Sequence, residues 1–226
     1  MTPSTYPDLF EVLNKKGQLK QLVYQNTLDS TRLLKKVIDD LLAEYRKDHP
    51  SGTQSISFFK EDMGDFEVHL QFAGDVLVFS MHTNIFEFSR YHEVMSTGYI
   101  KEDKNRSYCG IINIYNFLAD SFKYNRINDV GYLIGRIFIN KDKCYFIEGK
   151  REVGMLYGNF GQEVFDENAA RKLVESAVLY AINFDLLTPP FDAVKEISLE
   201  EVKSMVDSYT LKTGKRLGFK FQADRD

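Results

Sequence analysis

The chain has 226 residues, enough to bury a sizeable core without disulfides or metals as staples. Hydrophobic residues at 43% and charged residues at 27% are ordinary globular values and exclude a disordered chain. A net charge of −4 argues against nucleic acid, whose binders neutralise phosphates with Lys and Arg, and equally against an anionic membrane surface.

The first residues, MTPSTYPDLFEVLNKKG, lack the basic start and apolar run of a secretory signal. Leu34, Val37, Ile38, Leu41, Leu42 and Tyr45 then recur at steps of three and four, which predicts a helix with one apolar face. Leu19, Leu22 and Val23 belong to a similar stripe that Asn26 and Ser30 interrupt. Two readings follow: one long helix over 18–47 with a polar patch, or a second helix capped by Asp29 or Ser30. The absence of Gly and Pro between those ends favours one helix, stopped by His49-Pro50-Ser51-Gly52.

From residue 54 the period becomes two. Phe66, Val68, Leu70 and Phe72 alternate with Glu67, His69 and Gln71, so one strand face meets core and the other water. Gly74-Asp75 reads as a turn, and residues 76–81 as a strand buried on both faces. Residues 99–101 and 108–115 flank a charged tip and are expected to form a hairpin. Residues 116–124 suit a short helix. The clearest hairpin is 132–139 with 144–148, turning at Asn140-Lys141-Asp142-Lys143. Gly131 and Gly135 inside this strand region imply a bulge or close packing.

The strongest helix follows a Gly-rich loop. Asp166 is its N-cap, and Ala170, Leu173, Val174, Ala177, Val178, Ala181 and Phe184 mark one face. Its second half adds Leu179, Tyr180, Ile182, Leu186 and Leu187, so it is expected to be enclosed on more than one side. Thr188-Pro189-Pro190 ends it, and the capping box Ser198-Leu-Glu-Glu201 opens a last helix to about Tyr209. The fold class is therefore α+β: a mostly antiparallel sheet of about six to seven strands flanked by a long N-terminal helix and two C-terminal helices. Residues 1–226 are read as a single domain, with a helical segment 1–50, a sheet 54–149, helices 166–210 and a tail 211–226.

Chemistry is sparse. Residues 81–95 hold His82, Glu87, Arg90 and His92, the candidate catalytic group, and His82, Glu87 and His92 are acceptable metal ligands. A separation of five positions puts side chains on opposite faces of a strand and about 140° apart on a helix, so only a loop converges them. No HExxH is present, and no metal site is expected. Gly154-Met-Leu-Tyr-Gly158-Asn-Phe-Gly161 precedes a helix but departs from GxGxxG, and Asp166-Glu167 would repel phosphate there, so no nucleotide cofactor is expected. Cys109 and Cys144 form no metal spacing and read as packed thiols in a reducing compartment, which places the chain in the cytoplasm. The tail mixes Lys212, Lys215, Arg216 and Lys220 with Phe219 and Phe221, a solubilising end rather than a single-strand binder.

Two functions from different classes remain. The first is a non-catalytic intracellular module binding a small ligand or a protein, and homodimeric through a helical face from 18–47 or 169–187. The second is a small hydrolase-like cytoplasmic enzyme with its site near residues 82–93.

Overall fold

The computed structural model describes residues 8–49, 56–150, 153, 160–184, 188, 190–200 and 202. Helix α1 spans Leu9–Asp48 without interruption, beginning nine positions before the expected start. Asp8 caps it by accepting from Phe10 N. The patch around Asn26 and Ser30 does not break the helix; it is packed against the sheet at Gly110 of the fifth strand. Thr27, Ser30 and Thr31 are buried, and each hydroxyl donates to the carbonyl four residues back at 2.7–2.9 Å. That bond hides the polar atom inside the helix and leaves a small, flat surface. Gly110 lies directly opposite: a Cβ there would sit 2.0 Å from Thr27 Oγ1.

The sheet is β1 (Phe58–Asp62), β2 (Glu67–Phe72), β3 (Asp75–Met81), β4 (Phe86–Glu87), β5 (Tyr108–Leu118), β6 (Tyr132–Asn140) and β7 (Tyr145–Gly149). Its order β1-β2-β3-β5-β6-β7 is an antiparallel meander, with β4 pairing β5 beyond the end of β3. Alternation places Val68, Leu70, Leu77, Phe79, Ile112, Ile114, Ile137 and Ile147 in the main core. There α1 meets α4 (Glu167–Ile182), whose Leu173, Val174, Ala177 and Ala181 are buried. Asp166 caps α4 by accepting from Ala169 N at 2.8 Å. Arg171 grips Glu44 with two hydrogen bonds of 2.6 and 2.5 Å, and Lys36 pairs with Glu167, joining the two helices at their rims.

The opposite face is covered in two places. Residues 82–107 fold over β5, β6 and β7, burying a second cluster of Val94, Ile100, Cys109, Ile111, Phe138, Cys144, Phe146 and Phe160. After β5 the helical turn α3 (Ala119–Lys123) and the loop to β6 fold beneath β2 and β3. Gly131 makes that return possible, since a Cβ would strike the Phe117 ring at 2.3 Å. The strand then bulges at Ile134, where Ile114 pairs with Gly135 and Tyr115 with Leu133.

The expected hairpin of residues 99–101 with 108–115 is not formed. Residues 99–101 lie in helix α2 (Gly98–Glu102), started by Thr97, whose hydroxyl accepts from Ile100 N. That N-cap outweighs the strand propensity of Tyr99 and Ile100. The short helix expected over 116–124 is confined to α3, because residues 116–118 complete β5. A four-residue helix α5 (Phe191–Val194) follows, and helical backbone resumes at Leu199. The remainder of the last helix to Tyr209, the tail cations and most of the loop 154–161 lie outside the described residues.

Candidate functional site

On the face away from α1 and α4, the first three strands carry Phe59, Glu61, His69, Gln71 and Val76. Cross-strand pairing sets them in two rows. Phe59 lies beside Gln71 and Gln71 beside Val76, while Glu61 lies beside His69. From the other side α3 brings Phe122 and Lys123, closing a cleft of about 410 Å³. Small-molecule sites span roughly 300–1,000 Å³, so the volume suits a compact ligand.

His69 is the central group, with only 7% of its surface exposed. Its Nε2 lies 2.8 Å from Glu67 Oε1, two positions back on the same strand face. The carboxylate is an acceptor only, so it holds a proton on Nε2, and whenever the ring is neutral Nδ1 is left as an acceptor. The imidazole edge meets Phe122 at a centroid distance of 5.1 Å, and Phe122 in turn meets Phe117 at 5.6 Å. The loop behind α3 is pinned by the buried side chains of Arg126 and Asp129. The guanidinium lies 3.5 Å from Asp120 and 3.6 Å from Asp129, which also accepts from Ser121 Oγ at 2.8 Å. The cleft wall is therefore set by the buried Arg126–Asp129 pair, with an exposed Asp120 beside it, rather than by the short helix alone.

The candidates from sequence lie elsewhere. His82 follows β3, accepts from Asn84 N through Nδ1 at 3.0 Å and meets the ring of Phe86. Glu87 is exposed on β4 opposite Tyr108, and Arg90 is exposed in the turn after it. His92 caps a single 3₁₀ turn, with Nδ1 accepting from Val94 N, and its ring packs on Phe88 and Phe146 at 4.7 and 5.6 Å. Among the described residues no hydrogen bond or ion pair joins any two of these four. Nor are any three His, Cys, Asp or Glu side chains grouped to hold a metal ion among the described residues.

A second polar cluster ties the 82–107 segment to the β6–β7 turn. The buried Asn140 accepts from the amides of Asp142 and Cys144, each at 3.0 Å, and donates to the Tyr99 hydroxyl at 2.9 Å. Tyr99 donates to Asp142, which also receives Arg106 Nε at 3.1 Å. Burial, then the neighbouring Cys144, pushes the Tyr99 phenol well above its usual range, so it stays a donor. Asn26 of α1 donates to the carbonyls of Asn140 and Lys141. Every polar atom of the Asn140 side chain has a partner here, the signature of a fastening rather than a vacancy.

Sequence reasoning passed over His69, Glu61, Phe59 and Phe122. The alternation of Glu67, His69 and Gln71 identified the side they face, but no local pattern announces that α3 returns beneath that side. No family model matches the chain, and neither the curated proteins nor the solved structures offer a similar one.

Proposed function

We propose that the protein is a non-catalytic module that binds a small molecule in the cleft between β1, β2, β3 and α3. The observation that carries this reading is the buried His69, oriented by Glu67 at the back of an open, ring-lined cleft.

The lining defines a ligand class. Phe59 and Phe122 offer ring faces and Val76 an apolar floor, whereas Glu61 and the His69 Nδ1 are acceptors. Gln71 can serve either role. Lys123 adds one cation against the two carboxylates Glu61 and Glu67, so a ring-bearing molecule carrying an amine or hydroxyl donor matches this set better than a carboxylate. Two buried free thiols, Cys109 and Cys144, support a reducing, cytoplasmic setting. Among the described residues no helix is long and apolar enough to cross a membrane. An enzyme at residues 82–93 has less support, since His82 and His92 are each engaged in a local cap.

Saturation-transfer NMR with paired aromatic amines, phenols and aromatic carboxylates tests the reading. Amines and phenols are expected to give signals that Gln71→Trp, which fills the cleft, removes while the fold is kept. Glu61→Gln is expected to weaken the amines selectively. Equal binding of carboxylates, or signals indifferent to Gln71→Trp, would contradict it.

A further inference from the structure

The hydrogen bond to Glu67 engages one nitrogen of the His69 ring and leaves the other to the cleft. Nδ1 has no hydrogen-bond partner among the described residues. Among those residues, the side-chain polar atoms sealed from solvent without a partner are Asn116 Oδ1 and Arg126 Nη1, so Nδ1 is not sealed. It is reached from the cleft that His69 lines. A nitrogen so placed has two chemistries: in the neutral ring its lone pair accepts, and in the charged ring its proton donates. Because Glu67 keeps a proton on Nε2, a second proton enters at Nδ1. Charging the ring therefore inverts what it offers a ligand.

Each element packed on His69 adds to its electrostatic surroundings. β1 sets Glu61 beside it, and β3 sets the apolar Val78 on its other side. Its own strand adds Glu67 and Gln71, and α3 adds Lys123 next to the Phe122 ring. On β5, one strand further, Tyr115 pairs with Val78, and behind α3 Arg126 is engaged with Asp129 and Asp120. The charged groups that share the cleft with His69 are thus two carboxylates and one ammonium. A neutral ring leaves that set with excess negative charge, and an imidazolium brings it to balance.

We propose that protonation of His69 switches the ligand class of the cleft, from cationic donors at neutral pH to anionic acceptors in mild acid. The inference rests on the reading of the cleft as a ligand site and names the residue that sets its specificity. With the ring neutral, Nδ1 and Glu61 both accept, so an aromatic ammonium finds two acceptors and a negative surplus. With the ring charged, the ammonium loses one acceptor and meets a like charge. An aromatic carboxylate then gains the Nδ1 proton as a donor alongside Lys123. A phenol both donates and accepts, so it fits either state.

Benzylammonium, phenylacetate and phenol, titrated against the full chain with amide shifts read by NMR, test the switch, since each probe keeps its own charge over the range where imidazoles titrate. From about pH 8 to about pH 5.5 the ammonium is expected to bind about tenfold more weakly and the carboxylate about tenfold more tightly, with phenol within about threefold. In His69→Gln the three affinities are expected to stay level with pH. Should that variant not fold, imidazole ¹⁵N shifts of the wild-type chain decide, because the change in preference must follow protonation of His69 Nδ1. Phenol that binds at the cleft at neither pH would remove the site and the switch together. Phenol that binds there while the ammonium-to-carboxylate preference is constant with pH would overturn the switch alone. So would a preference that shifts equally in His69→Gln, or at a pH where Nδ1 does not change.

Discussion

At the scale of single residues, the contact of Thr27 with Gly110 shows how a polar interruption becomes a packing device. Asn26 and Ser30 break the apolar stripe when α1 is read alone, and their burial makes sense only against a glycine far along the chain, on β5. The hydroxyls turn inward on the helix and the glycine removes the one Cβ that would hold the backbones apart. Gly110→Ala is therefore expected to cost at least the ~1–3 kcal/mol typical of overpacking, read as a lowered urea midpoint with an unchanged slope. Thr27→Ala in the same chain should recover part of that loss, since it removes the Oγ1 contact but leaves Thr27 Cβ at 2.8 Å. A Gly110→Ala chain as stable as wild type would mean that α1 is not seated where the structure puts it. His69 belongs to the same scale. Its place in the alternation marked it as facing water, yet it is buried, because what lies over a strand face is decided by distant chain.

At the scale of elements, periodicity was most informative where one face of an element meets core. The alternation in β2, the unbroken apolar run of β3, the β6–β7 hairpin at its turn residues and the Asp166 cap of α4 were all legible. Residues 99–101 were not, because their side chains suit a strand and only the Thr97 cap turns them into a helix. The late half of α4 is a different case. Leu179 and Ile182 are 54% and 55% exposed rather than enclosed. The seam between α1 and α4 is electrostatic at its rim. The hydrogen bonds from Arg171 hold the Glu44 carboxyl below its usual value. A depressed carboxylate adds stability above the unfolded value of about 4.3 and loses it as pH falls through the folded one. Glu44→Gln should accordingly lower Tm at neutral pH, and the gap should close in acid below the ordinary carboxylate range. A gap that is constant with pH would assign Glu44 a packing role instead.

At the scale of the whole molecule, the two faces of one sheet are given different tasks. One is sealed by α1 and α4 over an aliphatic core. The other is covered at one end by residues 82–107 and at the other by α3, and the corner under β1 and β2 stays open around His69. Fold class could be read from patterning because β2, β3, β5, β6 and β7 announce their own periods, whereas β1 and the two-residue β4 do not. The cleft could not, because its lining is drawn from three strands and a helical turn separated by some sixty positions. This corner is the proposed binding site. It is tested most directly by mapping amide shifts in ¹H–¹⁵N NMR spectra during titration with an aromatic amine. Saturable shifts concentrated at Phe59, Glu61, His69, Gln71 and Phe122 are the expected result, and shifts confined to residues 82–93, or none at saturating ligand, would contradict the account.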